Sequence, residues 1–266
     1  MLKISSCIDI LFKELDFYGR FEAAKNAGTD FVEFWGWAGR DIGRIKELCG
    51  RHDLKITAMC VSTAKPETGA IFNPKKLLYR DGEAVDAFIS ALEESIGAAK
   101  QLEVPSLILT VGNERNDVTR YEQHANIVLA LKKCAPLLED AGITLVIEPL
   151  NTLVNHRGYF LPSSYEAFAV CEETGSPNIK VLYDIYHQQI TEGNIIANIR
   201  KYINLIGHFH LADVPGRVEP GLGELNFPNI FKAIAETGYD KYVGLEYQPT
   251  ADCAHTIRQV LTMAEK

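Results

Sequence analysis

Eight β-rich runs, separated by stretches of helical periodicity, divide the 266 residues of this chain. The runs lie near 2–9 (LKISSCID), 31–36 (FVEFWG), 55–62 (KITAMCVS), 106–112 (SLILTVG), 144–151, 179–187, 205–213 and 242–249. Strands that alternate with helices in this way are expected to lie parallel, joined by right-handed crossovers. At this length, eight such units predict one domain over 1–266, an α/β fold of the single (β/α)₈ TIM-barrel type. The competing arrangement is an open doubly wound sheet, but no GxGxxG follows the first run.

The intervening segments carry their own start and stop signals. LDFYGRFEAAKNAG ends in Gly28, a helix-terminating glycine. GEAVDAFISALEESIGAAKQLEV has apolar residues at helical spacing. The segment from Thr119 to Gly142 opens with a capping box, Thr119 and Glu122, and closes on glycine. Pro136 lies inside it and predicts a kink or break. Ser163 and Glu166 repeat the capping-box spacing, and FPNIFKAIAETG and ADCAHTIRQVLTMAEK complete the set. GLGEL at 221–225 reads as a turn rather than a phosphate loop.

Composition narrows the function classes. Hydrophobic residues make up 47% of the chain, enough for a full core, and the net charge is −8. That balance opposes a broad nucleic-acid or anionic membrane surface, so neither partner is expected. No apolar run approaches the roughly 18 residues of a membrane span. The opening MLKISSCIDILFKEL alternates like a strand rather than a signal peptide, and a cytoplasmic location is expected. The six cysteines form no CxxC pair and no zinc spacing with histidine, so free thiols are expected. A homo-oligomer is compatible with the sequence.

Four ligand-type side chains each stand near the end of a separate apolar run: Glu148, Asp184, His210 and Glu246. Such groups seldom occupy buried strand ends without something to bind. Strand alternation puts Val146 with Glu148, Leu182 with Asp184, His208 with His210, and Gly244 with Glu246 on shared faces. All four ligand-type residues can therefore face inward from consecutive strands, at the C-terminal rim where barrel chemistry resides. Three carboxylates and one imidazole suit a hard divalent cation, Mg²⁺ or Mn²⁺. Such a cation polarises a carbonyl and its neighbouring hydroxyl, acidifying the adjacent C–H. Glu148 and Glu246, facing each other across the mouth, are candidates to remove the proton and return it. That is isomerisation or epimerisation of a small hydroxy-carbonyl or sugar-like substrate through an enediolate. A metal hydrolase can use the same ligands.

Among further candidates, His187 follows Asp184 by three residues and can reach a substrate oxygen. Arg217, in DVPGRVEPG, suits an anionic or polyhydroxylated substrate; the plain alternative is an ion pair with Glu219 or Glu224. Asn113 and Asn151 are candidates to bind substrate or to hold their loops. Trp35, Trp37 and Phe12 are expected in the core, with a pocket wall as the other role. His52, His124 and His255 fall in helical segments and are expected to be structural or exposed.

IEPLNT, GYFL, LYDIYHQQITEGN, HLADVPGRVEPGLGELNFP and GLEYQP resemble the hydroxypyruvate isomerase branch of the xylose-isomerase-like TIM-barrel superfamily, densely from about 144 to 250. The resemblance implies a metal held by Glu148, Asp184, His210 and Glu246, an acid/base pair in Glu148 and Glu246, and substrate contacts from His187 and Arg217. Ketose 3-epimerases of the tagatose or allulose type share this site, and His210 is the more epimerase-like feature, since the isomerases often carry glutamine there. Gln248 stands where the isomerases commonly have lysine. Thr152, Leu153 and Val154 follow the ExLN motif where the epimerases place arginine and then glutamate, which favours the isomerases. The less favoured readings are an endonuclease-IV-like metal phosphodiesterase and a non-catalytic sugar-binding barrel.

Overall fold

The computed structural model describes residues 2–265. Its eight strands pair in chain order, all parallel, and β8 closes onto β1. The strands are β1 (Lys3–Cys7), β2 (Phe31–Phe34), β3 (Lys55–Cys60), β4 (Ser106–Leu109), β5 (Thr144–Ile147), β6 (Ile179–Asp184), β7 (Ile206–Leu211) and β8 (Tyr242–Leu245). The helices are α1 (Gly19–Ala27), α2 (Ile42–His52), α3 (Pro66–Lys75), α4 (Gly82–Leu102), α5 (Arg120–Ala141), α6 (Ser164–Thr174), α7 (Ile185–Thr191), α8 (Ile195–Tyr202), α9 (Phe227–Glu236) and α10 (Cys253–Ala264). The predicted barrel is the observed one. No helix among the described residues is long and apolar enough to cross a membrane. All six cysteines are free.

Several local expectations are corrected. The sixth run predicts strand to 187, but β6 stops at Asp184, whose carboxylate accepts the backbone N–H of Tyr186 and His187 and caps α7. A single short acid at a strand end thus converts the next three residues into a helical turn. Pro136 does not break α5, which runs unbroken through it. The capping box at Thr119 and Glu122 forms, and Gly142 ends the helix in the left-handed conformation. The equivalent box at Ser163 does not form: Ser163 donates to Glu192, and Glu166 pairs with Arg120 instead.

The barrel interior is divided by chemistry. Ala58, Ile108, Val146 and Leu182, from β3 to β6, form an apolar cluster with Cys60 against it. The opposite side, from β7 round to β3, carries a buried polar chain. Ser5 Oγ lies 2.8 Å from Thr57 Oγ1, which donates to Glu33 Oε2 at 3.1 Å. Glu33 Oε2 in turn lies 2.9 Å from His208 Nε2. A one-residue register slip between Val32 and Phe34 accompanies this polar side.

Candidate active site

The four predicted ligands converge. Glu148 follows β5 by one residue, Asp184 ends β6, His210 lies in β7, and Glu246 follows β8 by one residue. One oxygen or nitrogen from each lies within 4.8 Å of those from the other three. Around a single small cation with bonds of about 2.1 Å, opposite ligand atoms stand about 4.2 Å apart, so adjustments of a few tenths of an ångström suffice. All four side chains are buried.

His210 carries the best evidence that these residues fit a metal. Its Nδ1 is 3.4 Å from Glu246 Oε2 and 3.6 Å from Glu148 Oε1, and it has no hydrogen-bond partner although buried. Its Nε2 lies 2.7 Å from Glu33 Oε1. A carboxylate behind an imidazole orients the ring and turns the other nitrogen toward a cation. Burial alone would lower the pKa of His210, but Glu246 and Glu33 raise it well above the usual imidazole value. A metal ion taken up at Nδ1 would therefore have to displace a proton. Burial alone would raise Glu33, yet His210 and His208 hold its carboxyl down at about 2.

Room for this pair comes from a missing side chain. His210 pairs in register with Gly244 on β8, and a Cβ on Gly244 would overlap Glu33 Oε1 and stand 2.7 Å from His210 Cδ2. Layers inside such barrels draw side chains from alternate strands, and here the glycine keeps that rule. Gly244→Ala is predicted to cost about 1–3 kcal/mol of stability by overpacking and to weaken metal binding. Urea unfolding and Mn²⁺ titration check it; a variant matching the parent in both would show that Glu33 and His210 can shift freely.

Glu246 is the most constrained of the four. Trp35 Nε1 donates to its Oε1 at 2.7 Å, and the Arg217 guanidinium donates to its Oε2. Burial would raise its pKa, but His210 and Arg217 hold it well below the usual carboxylate range. Arg217 also lies 3.8 Å from Asp184 Oδ2, so its partners are the cluster acids rather than Glu219 or Glu224. Glu219 instead accepts from Thr250.

The loop that delivers Arg217 is organised by Asp213. Its carboxylate accepts the backbone N–H of Val214, Gly221, Gly223 and Leu225. The amides of the glycine-rich stretch are thus occupied by an internal acid, as expected of a turn. Gly223 sits so close to Val214 O and Asp213 that no side chain fits there.

His187 lies on α7, fully buried. Its Nδ1 accepts the backbone N–H of Asn151 at 3.2 Å and faces the Asn151 side-chain amide at 2.7 Å. The proton must then be on Nε2, which stands 3.6 Å from Asp184 Oδ2 without a hydrogen-bond partner. Burial drives its pKa down to about 3, so it remains a neutral donor. Asn151 Oδ1 accepts the amides of Val154 and Asn155, so this residue holds its loop and sets the His187 tautomer. Asn113 is exposed and outside the cluster. It bridges to Tyr159 and lines an adjoining cavity of about 410 Å³ with Lys76 and His156.

One residue of the site escapes the sequence reading, and another takes the less expected of its two roles. Glu33 bears the same signal as the four ligands, an acid inside the apolar run FVEFWG. Trp35 is 40% exposed rather than in the core and donates to Glu246. Trp37 and Phe12 are buried, as expected.

The model of the xylose isomerase-like TIM barrel family matches residues 21–262. The hydroxypyruvate isomerase of Escherichia coli is 32% identical over 253 residues, covering 94% of this chain and 94% of that protein. The 2-oxo-tetronate isomerase of Cupriavidus necator is 31% identical over 251 residues, again covering 94% of each. A crystal structure of an AP endonuclease, family 2, from Brucella melitensis superposes with a TM-score of 0.88 at 26% identity, covering 98% of this chain and 99% of that one. The chain belongs to the xylose isomerase-like TIM barrel family. By its kinship with the named isomerases it is an enzyme of the isomerase class.

Proposed function

We propose that this isomerase interconverts a small hydroxy-keto acid of the hydroxypyruvate type with its aldehyde isomer. The observation that carries the reading is the pair Glu148 and Glu246, which flank His210 Nδ1 at 3.6 and 3.4 Å in one buried cluster. A divalent cation such as Mg²⁺ or Mn²⁺, held by Glu148, Asp184, His210 and Glu246, would polarise the carbonyl and acidify the neighbouring C–H. One glutamate takes the proton from the hydroxyl-bearing carbon. The other delivers a proton to the former carbonyl carbon, while a proton moves between the two oxygens. The hydroxymethyl ketone becomes an aldehyde beside a secondary alcohol, with no external oxidant or reductant.

Glu148 receives no side-chain hydrogen bond among the described residues, whereas Glu246 is held by Trp35 and Arg217. Glu148 is therefore the freer base. His187 Nε2–H and the unpartnered Nε of Arg217 are the donors available to substrate oxygens.

His210 and the His187–Arg217 pair also support a second reading, 3-epimerisation of a keto-sugar, and the adjoining cavity has space for a longer chain. Phosphodiester cleavage is less well supported, because the net charge of −8 opposes a nucleic-acid surface.

Incubation with hydroxypyruvate in heavy water tests the proposal. The aldehyde should appear with deuterium on carbon, activity should vanish on chelation, and Mg²⁺ or Mn²⁺ should restore it. Product formation without deuterium, or full activity after exhaustive chelation, would overturn the mechanism.

A further inference from the structure

We propose that Lys76 anchors the anionic end of the substrate and so selects acids over neutral ketoses; this rests on the hydroxy-keto acid reading above. The charge of Lys76 is uncommitted. Lys76 is only partly exposed, and no carboxylate lies within ion-pairing distance of its ammonium among the described residues. Its Nζ rests 4.2 Å from the centre of the Phe72 ring, which holds a cation in place without neutralising it. A partly desolvated, unpaired ammonium is costly, and an anionic ligand removes that cost.

Lys76 ends α3 in a positive-φ conformation, φ 47°, with its N–H on Phe72 O. It borders the cavity of about 410 Å³ that Asn113, Leu150, His156 and Tyr159 also line. That cavity adjoins the cluster. The Tyr159 hydroxyl donates to the backbone oxygen of Glu148, and the His156 ring lies 5.2 Å from that of His187. A ligand whose carbonyl lies at the cluster can thus extend its far end toward Lys76.

Glu148, Asp184 and Glu246 bring three negative charges to the mouth, and a divalent cation with Arg217 offsets them. Arg217 is engaged by two of those acids, so it has little charge left for a carboxylate. Lys76 supplies the missing one. Nothing in a neutral ketose would require it.

The test uses the Mg²⁺-loaded full chain and its Lys76→Met and Lys76→Arg variants. Position 76 keeps a side chain of similar reach in both, so the backbone conformation is not newly strained. Lys76→Met should raise the KM for hydroxypyruvate about ten- to a hundredfold, the scale of a charged hydrogen bond. The preference for hydroxypyruvate over neutral dihydroxyacetone should fall by the same factor, and Lys76→Arg should recover part of it. Equal KM values in parent and Lys76→Met would overturn the anchor and leave the isomerase reading standing. If hydroxypyruvate is not turned over, its binding is measured by calorimetry. Binding that weakens in Lys76→Met would keep the anchor and reject the reaction, whereas binding indifferent to Lys76, or absent, would reject both.

Discussion

Glu148→Gln is expected to lower kcat by about 10²- to 10⁴-fold, the contribution of a positioned acid or base, and to abolish solvent deuterium incorporation. The substitution keeps an oxygen that can face a cation but removes the proton carrier and one negative charge of the cluster, so it is assayed at saturating Mg²⁺ or Mn²⁺. Because the Glu148 carboxylate accepts no side-chain hydrogen bond among the described residues, the loss under those conditions should appear in kcat rather than KM. Glu246→Gln should be as slow but should differ in one respect. It also weakens the hold on Arg217, so KM should rise alongside the fall in kcat. Steady-state kinetics of both variants, with product analysis by NMR in heavy water, read these outcomes. Either variant retaining activity within about tenfold of the parent would sink the two-glutamate scheme.

The second large effect is expected behind the ligands. Glu33 touches Thr57, His208 and His210 in the barrel interior. Glu33→Gln should lower Mn²⁺ affinity by about 10–100-fold, as loss of a carboxylate that orients a metal-binding imidazole does. Glu33→Leu should cost more. It leaves two buried imidazoles without their acid, and removing one partner of a buried pair costs about 3–5 kcal/mol. Calorimetric titration with Mn²⁺ and urea unfolding measure the two quantities separately. If Glu33→Gln binds Mn²⁺ as tightly as the parent, the carboxylate is a packing residue and not an orienting one.

The barrel and its four convergent ligand-type residues are legible because both are periodic signals. Alternating strands and helices announce the fold, and an acid or histidine at the end of an apolar run announces the site. What escaped depends on contacts between distant segments. Glu33 carried the signal of the other acids, but only the closed barrel brings β2 and β7 together at its carboxylate. Trp35 suits either the core or a pocket wall by sequence, and only the folded chain places its indole N–H on Glu246, 211 residues away. Helix α7 was hidden because IKVLYDIYH reads as one continuous strand-like run, and the switch from strand to helix depends on the hydrogen bonds of one side chain, Asp184. Helix α3 carries a weak local signal, because it contains two prolines and a glycine and no side chain caps its start. Asn151 could be named from its motif, but its work on the His187 tautomer appears only when both residues are in place.

Anyone wishing to graft this site onto another barrel would begin with Glu148, Asp184, His210 and Glu246. That graft should fail on most hosts. The transplantable unit includes an absence: unless the host strand has a glycine where Gly244 lies, the carboxylate behind His210 has nowhere to go. A successful recipient must be emptied at one position before it is furnished at five.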